Sequence, residues 1–146
     1  MAWVDNGDVP SSWPLTSIDN SLGCCIHGIS TVLDSGSTNV DMLMIANYKG
    51  INMFNGTFQS PELSWKIQNL WANQDRNEFR RIQMINDPIS QQLLLTLPDR
   101  RVLSGNYLNG MTSKLIRWEP WVFPMSINSI AIVNSGEVIL GSDLVS

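Results

Sequence analysis

The chain has 146 residues, 43% of them hydrophobic, which is enough for one domain that buries roughly two thirds of its unfolded surface. Thirteen acids against nine bases give a net charge of −4 and a pI near 4.7, and only 15% of residues are charged against a typical ~25%. This balance argues against nucleic acid as the main partner, since phosphate binding needs clustered Lys and Arg, and the weakly charged, Asn- and Ser-rich surface suits packing against protein neighbours.

The first residues, MAWVDNGDVPSSWP, are polar and carry two acids, unlike a signal peptide. No apolar run approaches the ~20 residues that span a bilayer, so the expectation is a chain without membrane contact, made in a cytoplasm. A single strand is expected around Trp13, in SWPLTSID, within a partial unit over residues 12–27. Cys24 and Cys25 are adjacent, so a mutual bond would be strained, and one pair lacks the second half of a zinc site. They read as small apolar residues in a reduced protein. His27 is the only histidine and reads as a structural residue at a strand start.

From there the segments are short, rich in β-branched or aromatic residues, and separated by Gly, Asn, Asp or Pro. IHGISTVLD (residues 26–34) predicts a strand, and SGSTN a turn. VDMLMIAN (40–47) is a nearly continuous apolar run that fits a strand buried on both faces. INMFNG (51–56) predicts a third strand ending in an Asn-Gly turn. Around SWKIQNLW (64–71), Leu63, Ile67, Leu70 and Trp71 have helical spacing, whereas the matching copies elsewhere contain Pro14 and Pro120. The expectation is a strand over residues 63–68 and a helical turn near 69–75.

The order then recurs. FRRIQMIND (79–87), QLLLTLPD (92–99), RRVLSGNYLNG (100–110) and SKLIRWEPW (113–121) answer the four earlier pieces, and INSIAIVN (127–134) with EVILGSD (137–143) starts another copy. Trp13, Trp65 and Trp118 are 52 and 53 positions apart. A period of about 40–50 residues with four short strands is the signature of a propeller blade. A sandwich also gives regular short strands, but not turn residues and tryptophans at a fixed offset.

The predicted fold is therefore all-β, one domain over residues 1–146: a propeller-like array of about 2.5–3 four-stranded antiparallel blades. Its units are 12–27 (partial), 28–68, 79–118 and 127–146 (partial). Trp13, Trp65, Trp71, Trp118 and Trp121 are expected at the junctions between sheets, where an indole buries about 150–250 Å². Closed propellers need at least about four blades. The chain is thus either an excerpt whose terminal strands pair in a longer parent, or a subunit whose lone N-terminal strand completes the last blade so that two chains close a ring.

A search for chemistry is thin. No nucleophile elbow, phosphate loop or dinucleotide fingerprint is present, and Asp34 and Asp41 do not match a calcium loop. Carboxylates for glycoside hydrolysis could be assembled from separate blades, for instance Asp87 with Glu119. Arg80–Arg81 and Arg100–Arg101 read as solvated or ion-paired strand positions. No enzyme, metal or cofactor is expected.

Taken together, SSWPLTSIDNSLG, HGISTVLDSGSTNVDMLMIANYKGINMFNG, SWKIQNLW, QMINDPISQQLLLTLPD, SGNYLNGMTSKLIRWEPWVF and INSIAIVN resemble structural proteins of tailed bacteriophages. The resemblance is to large virion components with propeller-like β domains, such as those of tail nozzles, and it covers about residues 11–133. It implies a tail-associated virion protein, assembled in the host cytoplasm, with copies of itself or other virion proteins as partners, and it supplies no catalytic residues. The alternative expectation is a carbohydrate-binding module. There Trp65, Trp71, Trp118 and Trp121 would stack on sugars, and Asn69, Asn106 and Asn109 would bond to them.

Overall fold

The computed structural model describes residues 2–3, 15–16, 29–33, 41–54 and 63–142, with side chains placed in the last two segments from Met42 on. It is all-β with antiparallel sheets. β1 (Ala2–Trp3) pairs with β2 (Leu15–Thr16); β3 (Ile29–Leu33), β4 (Asp41–Asn47) and β5 (Gly50–Phe54) form a second sheet. β6 (Met84–Asp87), β7 (Gln92–Thr96), β8 (Arg101–Asn106) and β9 (Arg117–Val122) form a four-stranded meander, and β10 (Ile127–Ile132) pairs with β11 (Val138–Ser142). Between β5 and β6 lie a 3-10 turn (Trp65–Ile67), the short helix α1 (Gln68–Ala72) and a 3-10 helix (Arg76–Arg81).

The apolar runs form strands because the middle sheet is covered on both faces. Successive side chains of a strand alternate in direction. Leu93, Leu95, Met84 and Leu103 therefore point one way, packing with Met44, Ala46, Ile51 and Trp71 on the side of the β3–β5 sheet. Leu94 and Val102 point the other way and pack with Ile127 and Ile130 of β10. This explains three consecutive leucines in β7: Leu93, Leu94 and Leu95 are all fully buried. The sheets adjoin through their first strands, β3 beside β6, and β6 and β7 beside β10. β4 and β7 begin 51 residues apart, as do β5 and β8.

Polar side chains close the turns. Asn47 Oδ1 accepts from the amides of Lys49 and Gly50 at 2.8 and 3.2 Å, and Asp87 Oδ1 from those of Ile89 and Ser90 at 3.1 and 3.2 Å. Asn106 Oδ1 likewise accepts from Leu108 N at 3.1 Å. Each is an Asx turn, in which a short side chain replaces a backbone acceptor. Gly136, with φ of 84°, carries the left-handed position between β10 and β11.

Three expectations are corrected. Residues 63–68 do not form a strand. Leu63 N donates to Ile51 O at 2.7 Å and Ile51 N to Ser64 Oγ at 2.9 Å, and the chain then turns into the 3-10 turn and α1. The helical spacing of Leu63, Ile67 and Trp71 prevails over the repeat because it buries Trp71. The first complete unit thus contributes three described strands rather than four. Residues 79–87 are not one strand either. Asp75 caps the 3-10 helix by accepting from Asn77 N at 2.9 Å, and β6 is confined to Met84–Asp87. Finally, the strand after Trp13 is not alone, since Leu15–Thr16 pairs with Ala2–Trp3. A nearby partner costs less loop-closure entropy than β11 would.

Candidate functional site

The connection between β5 and β6 builds a cleft with the β4–β5 turn. Its floor is aromatic. Trp71, on α1, meets Phe79 edge-on at 5.5 Å between ring centroids and 84° between planes, and Tyr48 meets Phe79 at 5.1 Å and 56°. Trp71 is held in place because its Nε1–H donates to Asn47 O at 2.9 Å, tying α1 to the β4–β5 turn. A quadrupolar edge-to-face contact plus a satisfied indole N–H makes a rigid base.

Above this floor lies a cavity of about 240 Å³, bordered by Tyr48 and Lys49 from the turn, by Gln68, Asn69 and Gln74 from the helical segment, and by Arg76. Tyr48 is 58% exposed, so its ring presents a face to solvent. Gln74 is only 6% exposed. Its Nε2 donates to Leu70 O at 3.1 Å and to Asp99 Oδ2 at 2.8 Å, and its Oε1 has no donor. The acids nearby are engaged elsewhere: Asp75 caps, Glu78 pairs with Arg81 at 3.1 Å, and Asp99 pairs with Arg101. No carboxylate borders the cleft among the described residues.

The tryptophans expected at junctions have unlike surroundings. Trp118, on β9, is half-buried against the first core cluster and donates from Nε1 to Leu63 O at 3.0 Å. Trp121 packs against the second cluster, with β10 and β11 on the other face of the sheet. Trp71 is buried. Trp65 is 63% exposed, so it pins no junction. The 3-10 turn directs it to water while Leu63 and Trp71 take the buried positions. Trp13 lies outside the described residues, as do Cys24, Cys25 and His27. Of the possible sugar contacts, Asn69 borders the cleft together with Trp71. Asn106 is occupied by its Asx turn, and neither it nor Asn109 reaches the cleft.

The carboxylate pair fails on geometry. Asp87 lies on β6 and Glu119 on β9, three strand spacings apart or roughly 14 Å, beyond the ~5–9.5 Å of glycosidase pairs. Asp87 is a buried turn residue. Burial acts to raise its pKa, but hydrogen bonds from Ser90, Gln92 and Ile89 prevail and hold it below the ordinary 3.8. Burial also pushes the Tyr107 phenol up; its bond to Asn86 Oδ1 at 2.7 Å opposes that shift and the Asp87 charge adds to it. Among the described residues no group of three His, Cys, Asp or Glu is placed to hold a metal ion.

Tyr48, Lys49, Gln68, Gln74, Arg76 and Phe79 carry no sequence signal as a group. Tyr48 and Lys49 sit in the turn between β4 and β5, and their approach to α1 is set by the Trp71–Asn47 bond. Comparison with protein families, curated proteins and solved structures finds no match to this chain.

Proposed function

We propose that this chain is a structural assembly module that acts through protein–protein contacts, its sheets forming blades of a propeller-like array in the virion of a tailed phage. The phage attribution rests on the sequence motifs given above. The assembly reading rests on one observation. The middle sheet has both faces covered, whereas β10–β11 has its inner face packed and its outer face bare among the described residues. That outer face consists of Ser129, Ala131, Ile139 and Gly141, small or apolar and uncharged, with Ile139 53% exposed. Sheets stack face to face about 10 Å apart when both surfaces are apolar, so the same stacking continued by one more sheet would cover it. The outer edge of β9 agrees with this role. Pro120 suits an edge strand, and Val122 at its end is 75% exposed. The covering sheet belongs to another copy or to a neighbouring virion protein.

Light scattering with negative-stain imaging tests this. The expected result is a species of several times 16.3 kDa with rotational symmetry, which Ile139→Lys reduces to smaller species. A compact monomer that unfolds cooperatively at micromolar concentration would overturn the reading.

A further inference from the structure

We propose that the β1–β2 hairpin of a second copy of this chain adds to the free edge of β11 and completes its sheet. The inference rests on the assembly reading above, and it names the partner and the strands that meet.

The edge comes first. Val133 N donates to Glu137 O at 3.0 Å, so by the alternation of an antiparallel ladder Ile139 and Gly141 exchange bonds with β10. Ile130, opposite Leu140, agrees: its N–H leaves the ladder and donates to Gln83 Oε1 at 3.3 Å. Val138 and Leu140 therefore aim their N–H and C=O groups away from β10, where no described strand meets them. Such an edge is a template for another strand. The count comes second. The meander has four strands, whereas β10–β11 and β1–β2 are two-stranded sheets with no further neighbour among the described residues. Joined edge to edge they make four antiparallel strands in the order β10-β11-β1-β2. The sequence agrees with that order. β9, the fourth strand of the meander, carries Trp118 and Pro120, and Trp13 and Pro14 lead into β2. The third observation is the face that the completed sheet covers. β10 lies beside β6 and β7, and burial on that face of the meander declines outward. Leu94 and Val102 are fully buried, Trp121 and Phe123 are half-buried, and Glu119 is exposed. Two strands beyond β11 extend the upper sheet over this aromatic margin. Within one chain the two hairpins are separate sheets, so the join is between copies, each giving one hairpin and receiving one.

Amide hydrogen exchange at Val138 and Leu140, read across a dilution series of the full chain together with its native mass, tests this. Both amides are expected to exchange at least about tenfold more slowly in the assembled species than in the diluted monomer. Ala2→Pro combined with Trp3→Pro removes whichever β1 donor faces outward. That variant is expected to lose the protection, while the Leu93 and Leu95 amides of β7 stay protected and show that the core is intact. A synthetic peptide of residues 1–18, added to the variant, is expected to restore it. Protection that survives the two prolines assigns the edge to another segment and overturns the proposal. Protection that survives dilution to the monomer is pairing within one chain and overturns it as well, as does a peptide without effect. An oligomer whose two amides exchange freely sinks this join but leaves the assembly reading standing, because stacking on the outer face needs no added strand. A monomer at every concentration removes both.

Discussion

The indole of Trp118 lies over Gly105, its partner across the β8–β9 ladder, so closely that a Cβ on Gly105 would stand 2.6 Å from Cζ3 and 2.8 Å from Cη2. The missing side chain makes room for an aromatic ring that then reaches Leu63 O with its N–H. A strand glycine here serves close approach rather than a turn.

Gly105→Ala therefore forces the ring aside and breaks its hydrogen bond. The expected loss is about 1–3 kcal/mol, the range for overpacking, measured as a lower urea midpoint with an unchanged m-value. Trp118→Phe, which keeps a ring and removes the donor, should cost less.

Leu94 and Trp65 provide a contrast. Leu94 is fully buried in the cluster shared with Val102, Ile127 and Ile130, so Leu94→Ala is expected to cost about 2–5 kcal/mol. Trp65→Ala, at an exposed position, should change stability by no more than ~0.5 kcal/mol. Equal losses in thermal denaturation would contradict these surroundings.

Ser64 takes the place of a strand carbonyl by accepting from Ile51 N–H, and both residues are fully buried. Ser64→Ala leaves that amide without its acceptor, at an expected cost of about 1–3 kcal/mol. The Ile51 amide should also exchange with deuterium faster than its neighbours in β5.

The Asp87 carboxyl gives a pH dependence with a definite sign. Its pKa in the folded chain is below 3.8, so its contribution is present above about that pH and is lost as pH falls through the folded value. Wild type should lose part of its urea midpoint between pH 5 and pH 2.5 through this group. Asp87→Asn should be less stable at pH 5 and lose less over the same interval.

Much of the strand framework was legible, for reasons visible in particular residues. Three consecutive leucines require a strand buried on both faces, and β7 is one. Asn47, Asp87 and Pro98 mark ends that the turns respect. The segment from Trp65 to Arg81 was not legible as a whole. Aligning it with its copies favoured strands, while its own i, i+4 spacing favoured helix, and burial of Trp71 and Phe79 decided for helix. Matching intervals between Trp65 and Trp118 likewise misled, because position in a repeat does not fix which way a ring points. The cleft could not be read at all. Its two sides are some two dozen residues apart in sequence and meet through a side chain-to-backbone bond that leaves no periodic trace.

The hairpin of β10 and β11 is joined to the middle sheet in an unusual way. Ile130 N donates to Gln83 Oε1 at 3.3 Å and Arg81 Nη2 to Asn128 Oδ1 at 2.8 Å, with apolar packing between. No backbone ladder crosses that seam, since the sheets are separate. Under pulling force or mild denaturant the hairpin should peel away as one piece while β6–β9 keeps its ladders. The last sheet would then act as a latch gripped by an apolar face and two side-chain hydrogen bonds, released without unravelling the body that carries it.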